Sequence, residues 1–160
     1  MKKQPKRKNP KNKALRLLTV RNLTCEELTE KLRRDGFTSK EIEPVIQWLK
    51  ELGYLDDKKT AASWVDYRNR YRPTGIYGLK YELRKKGVAS DIIDDVVNSS
   101  EQDYKLALKL ASDRLKTLNR LPVKKQYQRI GGLLSRRGFS WDVIRSVLDV
   151  LFGSSLDSDL

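Results

Sequence analysis

One glycine recurs at a fixed interval in this chain, and it constrains the fold more than any other feature. Gly36, Gly87 and Gly138 are each 51 residues apart, and the residues around them recur without gaps. The shared apolar positions are Leu32, Leu83 and Leu134 before the glycine, and Phe37, Val88 and Phe139 directly after it. Because self-similarity at one period marks a repeat architecture, we expect three copies of one structural unit.

The apolar residues on both sides of the glycine follow the period of an α-helix. In the first copy Leu28 and Leu32 lie four residues apart, and Ile42, Val45 and Leu49 follow with the spacing i, i+3, i+7. Residues at these intervals share one face of a helix. Each copy therefore contains a helix before the glycine and a helix after it.

Local signals mark the ends of these helices. The glycine suits the left-handed residue that ends a helix, and the basic residues that precede it complement the negative end of the helix dipole. For the helix that follows, we expect serine N-caps. The candidates are Ser39, Ser90 and Ser140.

A third helix precedes this pair in each copy, and we place it near residues 14–20, 61–71 and 104–118. No segment alternates as a strand would. The sequence predicts an all-α protein of three tandem three-helix repeats, in an elongated array that can curve from repeat to repeat.

The expected domain organisation follows from these helices. It is a disordered basic tail over 1–13, three-helix repeats over 14–57, 58–100 and 101–152, and a flexible C-terminal tail over 153–160. A unit this small is marginally stable alone. We therefore expect either packing between neighbouring repeats or short modules with limited mutual contact.

The charge is strongly positive and unevenly distributed. The chain of 160 residues has a formal net charge of +13. Residues 1–13 carry seven basic side chains and no acidic one, whereas the three repeats carry −2, +4 and +6. Such a surplus fits nucleic-acid phosphates or an acidic protein partner. The candidate contact residues are Arg68, Arg70, Arg72, Lys85, Lys86, Lys124, Lys125, Arg129, Arg136 and Arg137.

The residues needed for catalysis or metal binding are scarce. Histidine is absent, Cys25 is the single cysteine, and no glycine-rich loop has phosphate-binding spacing. The pair Asp56 and Asp57 fits a turn and a helix cap better than acid–base chemistry. We expect no enzyme activity, no cofactor and no metal. A lone cysteine and the lack of a long apolar run fit a cytoplasmic protein without membrane contact.

The aromatic residues divide into two groups. One group falls on or beside the apolar stripes and is expected in the core: Trp48, Trp64, Trp141, Phe37 and Phe139. The other is interleaved with basic residues, and for it a contact surface and packing between helices are equally open. It comprises Tyr67, Tyr71, Tyr77 and Tyr81.

The middle of the chain resembles the most characteristic stretch of the bacterial RecX regulatory proteins. The matching residues are Gly53-Tyr54-Leu55-Asp56-Asp57, Ala61, Trp64-Val65, Arg68, Gly75, Glu82-Leu83 and Lys86-Gly87-Val88. The first repeat is also similar to that family, through Ala14-Leu15, Leu18, Arg21, Cys25-Glu26-Glu27-Leu28 and Lys31-Leu32. Two features depart from the pattern: Thr60 stands where the family usually has an aromatic residue, and the lysine-rich N-terminal extension is not a general feature.

The resemblance implies a non-enzymatic modulator of the RecA recombinase. Such a protein binds RecA and its filament on single-stranded DNA, and mainly inhibits the recombinase, ATPase and coprotease activities. Its setting is homologous recombination, DNA repair and the SOS response. The alternative is a direct, non-specific binder of single- or double-stranded DNA without a specific recombinase contact. The sequence contains no long heptad array that would predict a coiled coil, and we expect a monomer.

Overall fold

A computed structural model of the chain describes residues 9–97 and 99–156, and all regular secondary structure in those ranges is helical. The described helices are α1 Pro10–Val20, α2 Cys25–Arg34, α3 Ser39–Glu51, α4 Asp57–Tyr71, α5 Ile76–Lys85, α6 Ser90–Val96, α7 Ser100–Lys116, α8 Val123–Arg136 and α9 Trp141–Leu156. They form three consecutive three-helix modules, which confirms the predicted all-α repeat architecture.

The first and last helices are longer than expected. α1 begins at Pro10 rather than at Ala14, because the Asn9 side chain accepts hydrogen bonds from the next turn and proline suits the first helical position. α9 continues to Leu156. Residues 10–13 and 153–156 therefore belong to helices and not to tails. The remainder of both expected tails, 1–8 and 157–160, lies outside the described residues.

The repeated glycine ends the second helix of every module, as predicted. Gly36, Gly87 and Gly138 have φ angles of 93°, 74° and 75°, a region that residues with a Cβ rarely adopt. The residue after each glycine donates its N–H to the carbonyl five positions back, as in a Schellman motif. These bonds are Phe37 to Leu32 at 3.2 Å, Val88 to Leu83 at 3.1 Å and Phe139 to Leu134 at 3.2 Å.

The predicted serine caps are correct in one module of three. Ser140 Oγ accepts the Val143 N–H at 3.2 Å. Ser39 and Ser90 are instead the first residues of α3 and α6. In α3 the cap is Thr38, because its backbone N–H can pair with the Glu41 carboxylate at 2.8 Å in a capping box. α6 begins after Ala89 without a side-chain cap.

Each module encloses its own hydrophobic core at the repeated positions. The leucine four residues before the glycine and the apolar residue eight before it are fully buried in all three modules. They are Leu28 and Leu32, Leu79 and Leu83, and Ile130 and Leu134. Burial of an aliphatic side chain contributes about 1.5–3 kcal/mol, so these pairs anchor each unit.

The first junction joins the start of α2 in module one to the end of α5 in module two. The buried Thr24 hydroxyl donates to the Lys86 carbonyl. Lys86 Nζ reaches back to Glu27 Oε1 at 2.8 Å. The Cys25 N–H donates to Asp57 Oδ1, on the first residue of α4, at 2.8 Å.

The second junction joins the start of α5 in module two to the end of α8 in module three. The Gly75 N–H donates to the Arg137 carbonyl at 2.8 Å, and Arg137 Nη1 donates to the Pro73 carbonyl at 3.0 Å. The Ile76 N–H donates to the buried Asp103 Oδ1 at 3.1 Å.

Both junctions use the same repeat positions. Thr24 and Gly75 are 51 residues apart, as are Lys86 and Arg137, so both junctions join equivalent repeat positions, with the Thr24 hydroxyl as donor in the first and the Gly75 N–H in the second. Neighbouring modules therefore touch directly at both junctions, while each hydrophobic core stays within its own module, so their mutual contact is limited.

Candidate interaction surface

The ten candidate cations divide by exposure into two groups. Seven are exposed: Arg70, Arg72, Lys85, Lys124, Lys125, Arg129 and Arg136. Arg68, Lys86 and Arg137 are partly buried and hold helices or modules together. Lys86 and Arg137 belong to the two junctions. Arg68 forms a bidentate ion pair with Glu82, in which Nε donates to Oε2 at 2.8 Å and Nη2 to Oε1 at 2.7 Å. The exposed residues remain the better candidates for a partner contact.

A groove between α7 and α8 brings several of these cations together. Arg129, Arg136 and Arg137 line a space of about 720 Å³ in module three. Arg114 of α7 lines it as well and was missed by sequence reasoning. The spacing of Arg114 along the sequence does not indicate that it lies near α8, because α7 and α8 come together only when the chain folds. Four arginines and a single carboxylate, that of Asp113, line the groove, so its net charge is positive.

Positive charge also accumulates at the second junction. Burial and the nearby charges of Arg72 and Arg68 lower the pKa of the Arg137 guanidinium from its ordinary value. Burial is the larger cause, and the charges of Arg68 in α4 and of Arg72 just after it add to the shift.

The remaining candidates are more dispersed. Lys124 and Lys125 lie in the first turn of α8, which contains no acidic residue. Cations at this end of a helix oppose the helix dipole, so they do not serve the stability of α8. Lys85 lies over the exposed Tyr81 ring, 5.6 Å from its centroid. It also borders a cleft at the first junction in which acidic and basic side chains alternate.

The aromatic residues differ from expectation at one position. Phe37 and Phe139 are buried, and Trp48 and Trp64 are partly buried. Trp141 is 64% exposed and was wrongly assigned to the core. It is the first residue of α9, where a side chain can point away from the module, and Arg145 covers its ring at 5.7 Å.

The interleaved tyrosines all reach the surface. All four are at least half exposed, which favours contact over packing between helices. They are Tyr67, Tyr71, Tyr77 and Tyr81. Tyr67 and Tyr71 lie next to each other on α4, with ring centroids 5.2 Å apart.

The acidic residues have structural roles. Asp56 caps α4 by accepting the Lys59 N–H at 3.0 Å, as predicted, and Asp57 contributes to the first junction. Asp94 pairs with Lys80 at 2.7 Å and Asp95 with Lys58 at 2.8 Å on the surface of module two. Within the described ranges, no group of three or more His, Cys, Asp or Glu side chains could hold a metal ion.

Cys25 is not an activated thiol. Burial, followed by the charge of Asp57 and a hydrogen bond with Asp57, raises the pKa of the Cys25 thiol to about 11. A nucleophilic cysteine needs the opposite shift. Among the described helices, none has the length and apolar character to cross a bilayer.

These features define an all-helical tandem-repeat protein with two directly docked junctions and with a surplus of positive charge on its second and third modules. Three sequence profiles match consecutive stretches of it: "RecX, first three-helix domain" over residues 11–49, "RecX, second three-helix domain" over 56–97, and "RecX, third three-helix domain" over 101–148. The chain belongs to the RecX family of regulatory proteins.

Individual relatives match over nearly the full length. Regulatory protein RecX of Pelodictyon phaeoclathratiforme is 34% identical over 146 residues, which covers 91% of each chain. The protein of the same name from a Mycobacterium species is 36% identical over 144 residues, covering 85% of this chain and 78% of its own. The crystal structure of RecX from Lactobacillus salivarius superimposes with a TM-score of 0.78 at 25% identity, covering 89% of this chain and 94% of that one.

Proposed function

We propose that this protein binds the RecA recombinase in its filament on single-stranded DNA and mainly inhibits its recombinase, ATPase and coprotease activities. The observation that carries the proposal is family membership through all three modules, each matched in order by its own RecX profile. The protein would act without catalysis of its own, in the cytoplasm, in recombination, DNA repair and SOS regulation.

The docked modules suit a partner that repeats. Because the two junctions join equivalent repeat positions, we expect successive modules to present their outer faces at a similar interval. A filament offers the same subunit surface again and again. Weak contacts to neighbouring subunits then add through effective concentration, and bridging would restrain the subunit movements that accompany ATP hydrolysis.

The exposed cations are the proposed contact residues. The groove between α7 and α8, with Arg114, Arg129 and Arg136, concentrates positive charge on module three. Such a surface fits the acidic and phosphate groups of a nucleoprotein filament and would steer association. Arg70, Arg72, Lys124 and Lys125 extend the positive surface over modules two and three.

The test is ATP hydrolysis by the cognate RecA on single-stranded DNA, titrated with this protein, beside an unrelated DNA-dependent ATPase at matched salt. We expect inhibition of RecA alone, at protein concentrations that leave most DNA uncovered. Equal inhibition of both enzymes, in proportion to DNA coverage, would instead indicate direct non-specific DNA binding, the alternative that the net charge of +13 favours.

A pair of charge-reversed variants locates the contact. Arg129→Glu with Arg136→Glu is expected to weaken inhibition at least tenfold. The control is Arg16→Glu with Lys40→Glu, two exposed cations of module one, because it changes net charge by the same amount. If both variants inhibit equally well, the groove between α7 and α8 is not the contact surface.

A further inference from the structure

Three aromatic rings form a row along one side of α4. The Trp64 and Tyr67 rings are stacked with centroids 5.9 Å apart and an interplanar angle of 29°. Tyr67 and Tyr71 follow with centroids 5.2 Å apart and an angle of 43°. Tyr67 is 50% exposed and Tyr71 is 73% exposed. We call these three residues the aromatic ladder; its outer end presents ring surface to solvent instead of packing in the core of module two.

The inner end of the ladder is held rigidly. Trp64 Nε1 donates to Glu82 Oε2 at 2.9 Å, and the same carboxylate accepts two hydrogen bonds from the Arg68 guanidinium. The Arg68 guanidinium lies 4.6 Å and Lys86 Nζ 4.3 Å from the Trp64 ring centroid. Folding therefore fixes the Trp64 ring, on which Tyr67 stacks, before any ligand binds, so ordering this inner end costs little side-chain entropy.

A groove of about 390 Å³ opens beside the ladder at the first junction. Its charged lining consists of Arg21, Arg68 and Lys86. Arg21 and Lys86 pair with Glu27 and Arg68 pairs with Glu82, so these three cations and two carboxylates leave one surplus positive charge. Asn22, Thr60 and Ser63 add amide and hydroxyl groups. The groove therefore places donors and positive charge next to exposed aromatic surface.

We propose that the aromatic ladder and this groove form a binding site for single-stranded nucleic acid, with bases stacked on Tyr67 and Tyr71 and phosphates near Arg21, the most exposed cation of the groove. Every base has a π-face, so stacking on tyrosine is tolerant of sequence. A duplex keeps its bases stacked on each other and would leave the rings unused. A surplus of positive charge beside two adjacent exposed rings matches a strand in which every unit carries both a phosphate and a base.

This site is separate from the proposed groove in module three and does not rest on a recombinase contact. Its ligand is the strand itself, bound through rings and cations that module two and the end of α1 supply. Binding would therefore occur without RecA, and it would depend on bases as well as on phosphates. That second dependence distinguishes it from a merely electrostatic association.

The test compares two labelled oligomers of equal length by fluorescence anisotropy: oligothymidylate, and an abasic strand with the same phosphates and no bases. We expect the native protein to prefer oligothymidylate. Tyr67→Ala with Tyr71→Ala should weaken its binding at least tenfold, since each stacked base contributes about 1–3 kcal/mol, while binding of the abasic strand stays nearly unchanged. Tyr67→Phe with Tyr71→Phe keeps the rings and should retain the affinity.

The matched control is Tyr54→Ala with Tyr77→Ala, because these tyrosines are 63% and 64% exposed and lie outside the ladder. Thermal unfolding of every variant, compared with that of the native protein, would verify that the fold is intact. Equal losses on both oligomers, or no loss on oligothymidylate, would overturn the proposal. An alanine variant that retains oligothymidylate but loses the RecA filament would overturn it too and make the ladder a protein contact.

Discussion

Lys86 and Arg137 occupy the same position in successive repeats, and each side chain reaches back to the preceding module. Lys86 Nζ lies 2.8 Å from Glu27 Oε1, and Arg137 Nη1 lies 3.0 Å from the Pro73 carbonyl oxygen. The carbonyls of both residues also accept hydrogen bonds from that module. A cation before the glycine therefore serves two purposes: it complements the helix dipole and it fixes the next module in place.

Loss of the Lys86 ammonium should destabilise the first junction. Both partners of the Lys86–Glu27 pair are mostly buried, with 17% of each side chain exposed. Lys86→Met should lower the free energy of unfolding by about 1–2 kcal/mol, because Glu27 keeps its burial and loses its strongest donor. Urea unfolding measures the change. Lys85→Met, at the exposed neighbouring position, should change the free energy of unfolding by less than about 0.5 kcal/mol. An equal loss in both variants would mean that the Lys86–Glu27 pair does not stabilise the junction.

The same pair gives a pH dependence. Burial alone would raise the pKa of Glu27, but hydrogen bonds from Lys86 and the Thr24 N–H, with the charges of Lys86 and Arg21, lower it below its ordinary 4.5. Its contribution to stability is therefore present above pH 4.5 and lost as the pH falls through the folded-state pKa. The difference in unfolding free energy between the native protein and Lys86→Met should shrink as the pH falls below 4.5. A difference that is constant with pH would contradict the pairing.

Close backbone packing at the second junction should not tolerate a Cβ at Gly75. Its φ is −71°, so alanine could adopt the backbone there, but the new Cβ would lie 2.4 Å from the Gly138 carbonyl oxygen. We expect Gly75→Ala to cost about 1–3 kcal/mol by overpacking. Gly153→Ala, in α9 with open space around its Cβ, should instead stabilise by about 0.5–1 kcal/mol. Differential scanning calorimetry measures the stability of both variants. If Gly75→Ala leaves the stability unchanged, modules two and three are not docked as described.

Cys25 should be a slow thiol. A pKa of about 11 in place of 9.0 leaves about 100-fold less thiolate at pH 8. Disulfide exchange with Ellman's reagent should accordingly be on the order of 100-fold slower than for a free cysteine, and it should accelerate when urea opens the first junction. A pH–rate profile with a midpoint near 9 would contradict the buried, Asp57-paired environment.

The sequence alone determined the features that depend on residues close along the chain. The 51-residue repeat, the apolar positions at helical spacing and the left-handed glycine defined three helical units, because i, i+4 neighbours and a terminating glycine act within a few turns. Asp56 as a helix cap and Phe37 as a core residue followed for the same reason. The start of α1 at Pro10 has the same local origin, since Asn9 caps the helix and proline suits its first position.

The tertiary structure alone decided which cations face solvent and which ones join modules. Arg68, Lys86 and Arg137 resemble their exposed neighbours in sequence, yet each finds a partner 14, 59 or 64 residues away. The grouping of Arg114 with Arg129, the exposure of Trp141 and the alignment of the Trp64, Tyr67 and Tyr71 rings beside a groove likewise depend on how helices pack. Periodicity assigns a residue to a face of its own helix, whereas the docking of helices and modules determines what that face meets.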